Sequence, residues 1–411
     1  MSVKKILVVS TSRYENLLTT LDNFENSLSK EIYNEPYEFY IVNVIFNGEM
    51  PKNIKYKYYI HSSDCNNIEE LERIANEVKK WNVKFDYNFQ ISEYGVEILG
   101  YINSKLNFDG IKYEEIHKFR DKVIMKKSLS ETIKKPKLYD IDDIKNDKVI
   151  YPVIVKPRCF ASSWGIKKIC SKDELLIYLK DKKFDYSRVS NYNLNDVEVE
   201  EYIDGNICHI DGLVFNGKVI FCVASEYFGT CFGYSKGQPL CSVKGNDNFQ
   251  NKALIYANEI NKNLRLPNGA FHLEAFLINN DFIFLEIAIR FGGAGVVPTI
   301  EKSYGINLIH EHIKTQIGIN NFKIRNDFKY FGWICIPRPL ELKVDSYVKK
   351  INFEYKPKSL FSYQIPDVGE KVNASFVKFS STLGSFDFVS NNREELISEM
   401  KKLLLEYKVE Y

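Results

Sequence analysis

Two glutamates, Glu274 and Glu286, are the residues of this chain whose type and spacing most directly imply chemistry. They stand in the stretch 269–295, GAFHLEAFLINNDFIFLEIAIRFGGAG. One run alternates Phe271, Leu273, Ala275 and Leu277 against His272, Glu274, Phe276 and Ile278. After the break Asn279-Asn280-Asp281, a second run alternates Ile283, Leu285, Ile287 and Ile289 against Phe282, Phe284, Glu286, Ala288 and Arg290. A period of two interrupted by Asn and Asp predicts a β-hairpin. A loop of Asn279 to Asp281 pairs Ile278 with Phe282, which brings Glu274 opposite Glu286 and His272 opposite Ala288. Opposed side chains lie about 4.5–5.5 Å apart on one face, where like charges repel. A shared cation removes the repulsion, and a hard divalent ion such as Mg²⁺ takes carboxylate oxygens together with substrate phosphates. The alternatives are a glutamate solvated on an outer face or a register shifted by one. His272 either faces the same cleft or is a satisfied strand histidine.

A second candidate is Lys156, inside the apolar strand YPVIVKPR. A lysine there must snorkel, pair or meet an anionic ligand. It precedes a loop of small residues, Cys159 to Gly165, whose backbone N–H groups could approach phosphate oxygens; a loose hairpin would look the same. No Ser-His-Asp or Cys-His arrangement stands out.

These residues need elements to position them. The first ~110 residues alternate strands (Lys4 to Ser10, Glu38 to Phe46, Phe85 to Gln90) with helices (Asn16 to Lys30, Asn67 to Trp81, Tyr94 to Asn103), which predicts a small doubly wound α/β domain. It lacks GxGxxG after the first strand, so dinucleotide binding is disfavoured; the segment offers a fold and no chemistry. Tyr113 to Lys135 reads as one long helix ended by Pro136. Asp196 to Ile203 is an acid-rich strand. Asn216-Gly217 between apolar runs is the strongest hairpin signal in the chain, and strand after strand implies an antiparallel sheet. Helices are expected over Asn251 to Lys262, Thr299 to Ile317 and Asn392 to Glu406. The Gly-, Tyr- and Phe-rich segment Glu226 to Lys244 is a candidate substrate loop. Four domains are expected, over 1–112, 113–195, 196–322 and 323–411.

At 411 residues the chain is too long for one small core. With 56 basic against 54 acidic residues, no charge-driven nucleic-acid or membrane partner is indicated. Eight cysteines without CxxC or CxxH spacing suggest no zinc site and a reduced, cytoplasmic environment. The start MSVKKILVVSTSR lacks the apolar core of a signal peptide, and no stretch approaches the roughly 18 apolar residues of a membrane span.

In order, Arg120-Asp121-Lys122, VIVKPR, SSWG, VEEYIDG, CHIDGLVFNGKVIF, FHLEAF and LEIAIRFGG resemble the motifs of the ATP-grasp superfamily of carboxylate–amine ligases, most closely the branch with L-amino-acid (dipeptide) ligases. The resemblance implies an ATP-grasp fold, α/β and α+β, with an N-terminal Rossmann-like (pre-ATP-grasp) domain. It implies ATP and Mg²⁺ (Mn²⁺ as a substitute), a small-molecule carboxylate and an amine as substrates, and a homodimer as the common habit. Lys122 and Lys156 would contact the nucleotide phosphates, and Ser162, Ser163, Trp164 and Gly165 would close over them. Glu200, Glu201 and Ile203 would form the hinge that receives the adenine, with Asp211 near the ribose. Glu274 and Glu286 would be the metal pair. Arg290 would hold the acyl phosphate, and Gly292-Gly293 would leave room for backbone contact with the substrate. Many members carry Asn two residues after the second metal Glu, where this chain has Ala288, and the phosphate loop is poor in glycine. Such an enzyme would join an amino acid or other small acid to an amine. The alternatives are acylation of a carrier protein or natural-product intermediate, and a non-catalytic ATP-binding module.

Overall fold

The computed structural model describes residues 3–30, 36–45, 49–63, 67–161, 163, 165–181, 197–338, 346–372 and 382–411. Its N-terminal sheet is parallel, with strand order Tyr58–Ser62, Tyr37–Val44, Lys4–Ser10, Tyr87–Gln90. Ile6, Leu7, Val8 and Val9 are all fully buried, as a parallel strand covered on both faces must be. Leu7 and Val9 pack with Ile74, Val78, Ile98 and Ile102 of the helices Ile68–Lys80 and Gly95–Leu106. Ile6 and Val8 pack with Leu17 and Leu21 of Tyr14–Lys30 and with Ile313 and Ile317, at the end of the distant helix Leu308–Gln316. The strand Tyr58–Ser62 has no counterpart in the sequence reading; it is short and its neighbours are polar.

That distant helix ties the N-terminal sheet to the rest of the molecule. His312 is buried between the two: its Nδ1 accepts the Ala270 N–H at 2.8 Å, so its Nε2–H donates to the Gln90 carbonyl at 2.7 Å. Gln90 in turn donates to the Ile289 carbonyl at 3.0 Å. Burial lowers the His312 pKa to about 4, which keeps the ring neutral and both bonds in place.

The large sheet has eight antiparallel strands in the order Asp281–Ala288, Gly269–Ile278, Asn206–Phe215, Lys218–Phe228, Leu240–Lys244, Tyr330–Ile336, Gly384–Ser390, Leu360–Gln364. Asn216 and Gly217 both have positive φ, the type I′ geometry that an Asn-Gly hairpin demands. A second, four-stranded antiparallel sheet has the order Leu138–Tyr139, Val197–Glu201, Val153–Pro157, Lys167–Ile169.

Two expected helices are each broken in two, and the first ends at Lys127 instead of running on to Lys135. Tyr113–Arg120 stops at Asp121, and Lys122–Lys127 begins there. Asp121 is extended, and its carboxylate accepts the N–H groups of Val123 and Ile124 at 2.9 and 3.1 Å. An aspartate that caps the following turn competes with the helix it would otherwise continue. The second expected helix is broken at Gly305, which has φ 70°, and Asn307 caps the next helix, Leu308–Gln316. Among the described residues no helix is long and apolar enough to cross a membrane.

Asp387, opposite Trp333 in the large sheet, is buried, and its Oδ1 has no hydrogen-bond partner among the described residues. Burial pushes its pKa up to about 7, against a bond from Ser362. The unfolded carboxyl titrates near 3.9. The folded state therefore binds the extra proton, and stability is lost as pH rises through the folded value. The loss expected between about pH 6 and pH 8 is about 1.4 kcal/mol. Asp387→Asn, which keeps the neutral shape, should remove that slope from urea midpoints; an unchanged slope would disprove the assignment.

Candidate active site

The hairpin of Gly269–Ile278 and Asp281–Ala288 has the expected facing pair by an unexpected route. Its turn is two residues long, Asn279 and Asn280 at φ 51° and 64°, and Ile278 pairs with Asp281. A bulge at Leu285 then adds the residue that the shorter turn removed. Glu274 therefore faces Glu286, and His272 faces Ala288. The bulge also switches faces, as one extra residue must. Phe284 turns into the core with Ile287, while Leu285 turns into a cavity. The expected placement of Phe284 on the face of Glu286 is corrected by this bulge.

Two cavities meet at this pair. One, of about 210 Å³, is mostly apolar, lined by Ile154, Ile203, Ile207, Phe276 and Leu285, with Lys156 and Glu200 at its wall. The other, of about 190 Å³, is lined by Glu93, Arg120, His272, Arg290 and Gly293, with Tyr227, Leu240 and Trp333 behind them. Lys122, Phe160, Ser163, Cys231, Glu274 and Glu286 line both. An apolar cavity and a charged one thus share a wall whose polar groups are one lysine, one loop serine, one cysteine and two carboxylates.

The break at Asp121 aims three consecutive side chains in three directions. Arg120 bonds Glu93, Glu97 and the Cys159 carbonyl. Asp121 caps and pairs with Arg158. Lys122 enters the shared wall, bonded to the Phe160 carbonyl and 3.3 Å from Glu286. One helical turn on, Lys126 is fully buried between Glu198 (3.0 Å) and Glu200 (3.0 Å). Lys156 meets the same two acids, Glu200 at 2.6 Å and Glu198 at 3.3 Å. Burial pushes the Glu200 carboxyl up, but Lys126 and Lys156 outweigh it and hold it at about 2. Sequence reasoning missed Lys126 and Glu198. The signals were the i, i+4 spacing from Lys122 and the i, i+2 spacing from Glu200. Glu201 points the other way, is exposed, and accepts the Lys137 N–H at 3.1 Å. It does not line the cavity, whereas Ile203 does.

Arg290 donates to Glu93 at 2.5 Å and to the Phe291 carbonyl at 2.7 Å. Glu93 lies just past the strand Tyr87–Gln90 and also bonds Arg120. Burial raises its pKa, but Arg290 and Arg120 prevail and hold it at about 2. The N-terminal segment, expected to carry no chemistry, thus supplies an acid to the site. Carboxyl ends of parallel strands are where such sheets bind ligands, which is the signal that could have found it.

Asp211 does not stand beside the apolar cavity; neither cavity is lined by it. It is buried within the large sheet, bonded to His209 Nδ1 at 2.6 Å and His272 Nδ1 at 2.8 Å. Its surroundings do not fit the ribose contact expected of it. These three residues could hold a metal by proximity alone, but each Asp211 oxygen is already taken by an imidazole at hydrogen-bond distance. Glu274 is buried and accepts from the Tyr227 hydroxyl at 3.0 Å, with His272 Nε2 at 3.6 Å. Burial pushes its carboxyl up, and His272 and Tyr227 outweigh that and hold it below its usual range.

Ser163 and Gly165 both have positive φ, and Ser163 lines both cavities. Ser162 and Trp164 lie outside the described residues. Gly293 is open to the cavity, but Gly292 is not: a Cβ there would fall 2.5 Å from Asp211 Oδ1. Tyr227, Cys231 and Leu240 of the expected substrate loop line the charged cavity. A divalent ion fits the Glu274/Glu286 pair, because two facing carboxylates supply hard oxygen donors beside Lys122. Ala288 supplies none.

Residues 149–298 match the ATP-grasp domain family. The chain is 24% identical over 255 residues to an L-arginine-specific L-amino acid ligase of Bacillus subtilis, covering 60% of each chain. It is 30% identical over 189 residues to a D-alanine–D-alanine ligase of Rickettsia peacockii, covering 42% of this chain and 55% of that one. The chain thus spans a little over half the length of these curated relatives. Among solved structures, an L-amino acid ligase from Bacillus licheniformis superposes with a TM-score of 0.73 at 17% identity, over 100% of this chain and 99% of that one. A phosphoribosylglycinamide synthetase from Anaerococcus prevotii gives 0.66 at 17% identity, over the whole of both chains. The chain therefore carries an ATP-grasp domain and has the ATP-grasp fold over its whole length.

Proposed function

We propose that this protein is an ATP-dependent ligase that activates a carboxylate, an amino acid in our reading, as an acyl phosphate and joins it to an amine, releasing ADP and phosphate. The observation that carries the reading is the meeting of the apolar and charged cavities at Lys122, Ser163, Glu274 and Glu286. The apolar slot suits a nucleotide base, the shared wall its phosphates, and the charged seat a carboxylate beside Arg290. The two curated relatives named above are an L-amino acid ligase and a D-alanine–D-alanine ligase, which favours the same chemistry.

In this reading a carboxylate oxygen attacks the γ-phosphorus and the bond to the ADP oxygen breaks. The amine nitrogen then attacks the acyl carbon, phosphate leaves and the nitrogen gives up its proton. Lys122 and Lys156 hold the phosphates in place. Arg290 stabilises the negative charge on the acyl oxygens, with Glu93 fixing the direction of its guanidinium. Mg²⁺ or Mn²⁺ held by Glu274 and Glu286 would neutralise charge on the transferred phosphoryl group. Phe160, Leu240 and Trp333 keep water from the mixed anhydride.

The test is product analysis. The protein is incubated with Mg-ATP and pooled amino acids, ADP is resolved from AMP, and new amide masses are sought. ADP with an amide mass is the expected result. AMP and pyrophosphate would overturn the acyl-phosphate route. Bound ATP with neither product would favour a carrier-linked acceptor or a binding module.

A further inference from the structure

The polar residues of the large sheet form two rows across its first three strands. Glu286, Glu274 and His209 stand opposite one another in one row, and Ala288, His272 and Asp211 in the next. Opposed residues share a face, so all six side chains point into the same layer. Hydrogen bonds join His209, Asp211 and His272 of these six in a line, with Ser242 at one end. Ser242 Oγ meets His209 Nε2 at 2.6 Å, His209 Nδ1 meets Asp211 Oδ2 at 2.6 Å, and Asp211 Oδ1 meets His272 Nδ1 at 2.8 Å. The line ends with His272 Nε2 3.6 Å from Glu274 Oε1, the same oxygen that takes the Tyr227 hydroxyl. Ser242, His209 and Asp211 are each 1% exposed.

The two carboxylates of the hairpin are held unequally. Glu286 is a third exposed and has Lys122 as its ion-pair partner. Glu274 accepts the Tyr227 hydroxyl, with His272 Nε2 at 3.6 Å and Cys231 Sγ at 3.7 Å. Ala288 offers no oxygen on the outer strand. A cation placed between the carboxylates would thus meet one set by surrounding side chains, Glu274, and one that is more exposed and paired with Lys122.

From this asymmetry we infer that Asp211 is a positioning residue for the metal carboxylate Glu274, acting through His272. The inference rests on the reading of Glu274 and Glu286 as the metal pair. Asp211 takes the Nδ1–H of His272 and so fixes the imidazole plane, with Nε2 turned to Glu274. Gly292 closes the arrangement from above: a Cβ at that position would lie 2.9 Å from His272 Nδ1 and 2.5 Å from Asp211 Oδ1. A ligand carboxylate that is oriented through a second shell of hydrogen bonds loses about 10- to 100-fold in metal affinity when that shell is broken.

The experiment measures Mn²⁺ binding by the loss of the free-ion electron paramagnetic resonance signal. It is done on the full chain with a non-hydrolysable ATP analogue present. Glu274→Gln serves as the control, with Asp211→Asn and His272→Gln as the test variants. Weakening of Mn²⁺ binding by about 10- to 100-fold is expected in both test variants. In a ligase assay, raising Mn²⁺ should restore their kcat but not that of Glu274→Gln. Circular dichroism melts check folding; if Asp211→Asn does not fold, His272→Gln carries the test. Loss of Mn²⁺ affinity in Glu274→Gln with wild-type affinity in the folded test variants would overturn the positioning role. Unchanged affinity in Glu274→Gln itself would instead overturn the metal-pair reading on which it rests.

Discussion

Glu286→Gln is expected to lower kcat at least about 1,000-fold, equivalent to about 4 kcal/mol of transition-state stabilisation. The substitution keeps the shape of the side chain and removes one of the two facing charges. It should leave the fold intact, because Glu286 is a third exposed and Lys122 at 3.3 Å is its ion-pair partner. The lost charge leaves Lys122 with its bond to the Phe160 carbonyl, so the change is expected to cost about 1 kcal/mol, small beside the loss of turnover. The same change at Glu274 is harder to interpret, since that carboxylate is buried and receives Tyr227. The measurement is steady-state kinetics beside a urea melt. Near wild-type turnover in a folded Glu286→Gln protein would remove the metal pair from the mechanism.

The facing of these two glutamates was legible in the sequence because alternation fixes which residues share a face. It was less legible how the chain achieves it. A three-residue loop and a two-residue turn followed by a bulge give the same pairing beyond the bulge. Only the residues between turn and bulge tell them apart, and Phe282 and Phe284 read equally well on either face. Helix breaks were illegible for a related reason. Apolar spacing continues through Asp121 and Gly305, while the interruption is made by capping bonds. An Asp before a lysine and a Gly two residues before an Asn are weak signals until the bonds are seen.

Within the site, most residues expected from sequence lie on strands and in glycine-marked turns, where pattern is strong; Lys122 instead opens the helix Lys122–Lys127. Those missed are long-range partners. Glu93 meets Arg290 across almost two hundred positions of sequence. Glu198 is joined to Lys126 across 72. Spacing and strand ends could nominate these residues singly, but not who pairs with whom; the pairs result from His312 clamping the N-terminal sheet to the large one and from the small sheet closing over the helix Lys122–Lys127. Asp211 shows the converse. Its type and approximate place suggested a nucleotide contact, yet a pair of histidines on the same sheet face claims both of its oxygens.

Lys126→Met is expected to destabilise the protein by about 3–5 kcal/mol, the range for removing one partner from a buried ion pair. Lys126, Lys156, Glu198 and Glu200 are all 3% exposed or less, and their charges sum to zero. Without Lys126, two buried carboxylates share one lysine and repel each other. The loss is a large part of the roughly 5–15 kcal/mol that keeps a domain folded. Replacing the pair together, as Lys126→Met/Glu198→Leu, restores neutrality with apolar volume and should recover most of it, because swapping a whole buried pair for apolar side chains is often neutral or better. Urea unfolding of both variants reads the coupling. A single variant within about 1 kcal/mol of wild type would mean that water reaches the quartet and screens it. The double variant also separates stability from function. Lys156 would keep only Glu200 as a partner, so a double variant that is stable but has a raised KM for ATP would place the quartet's role in presenting Lys156 to the nucleotide.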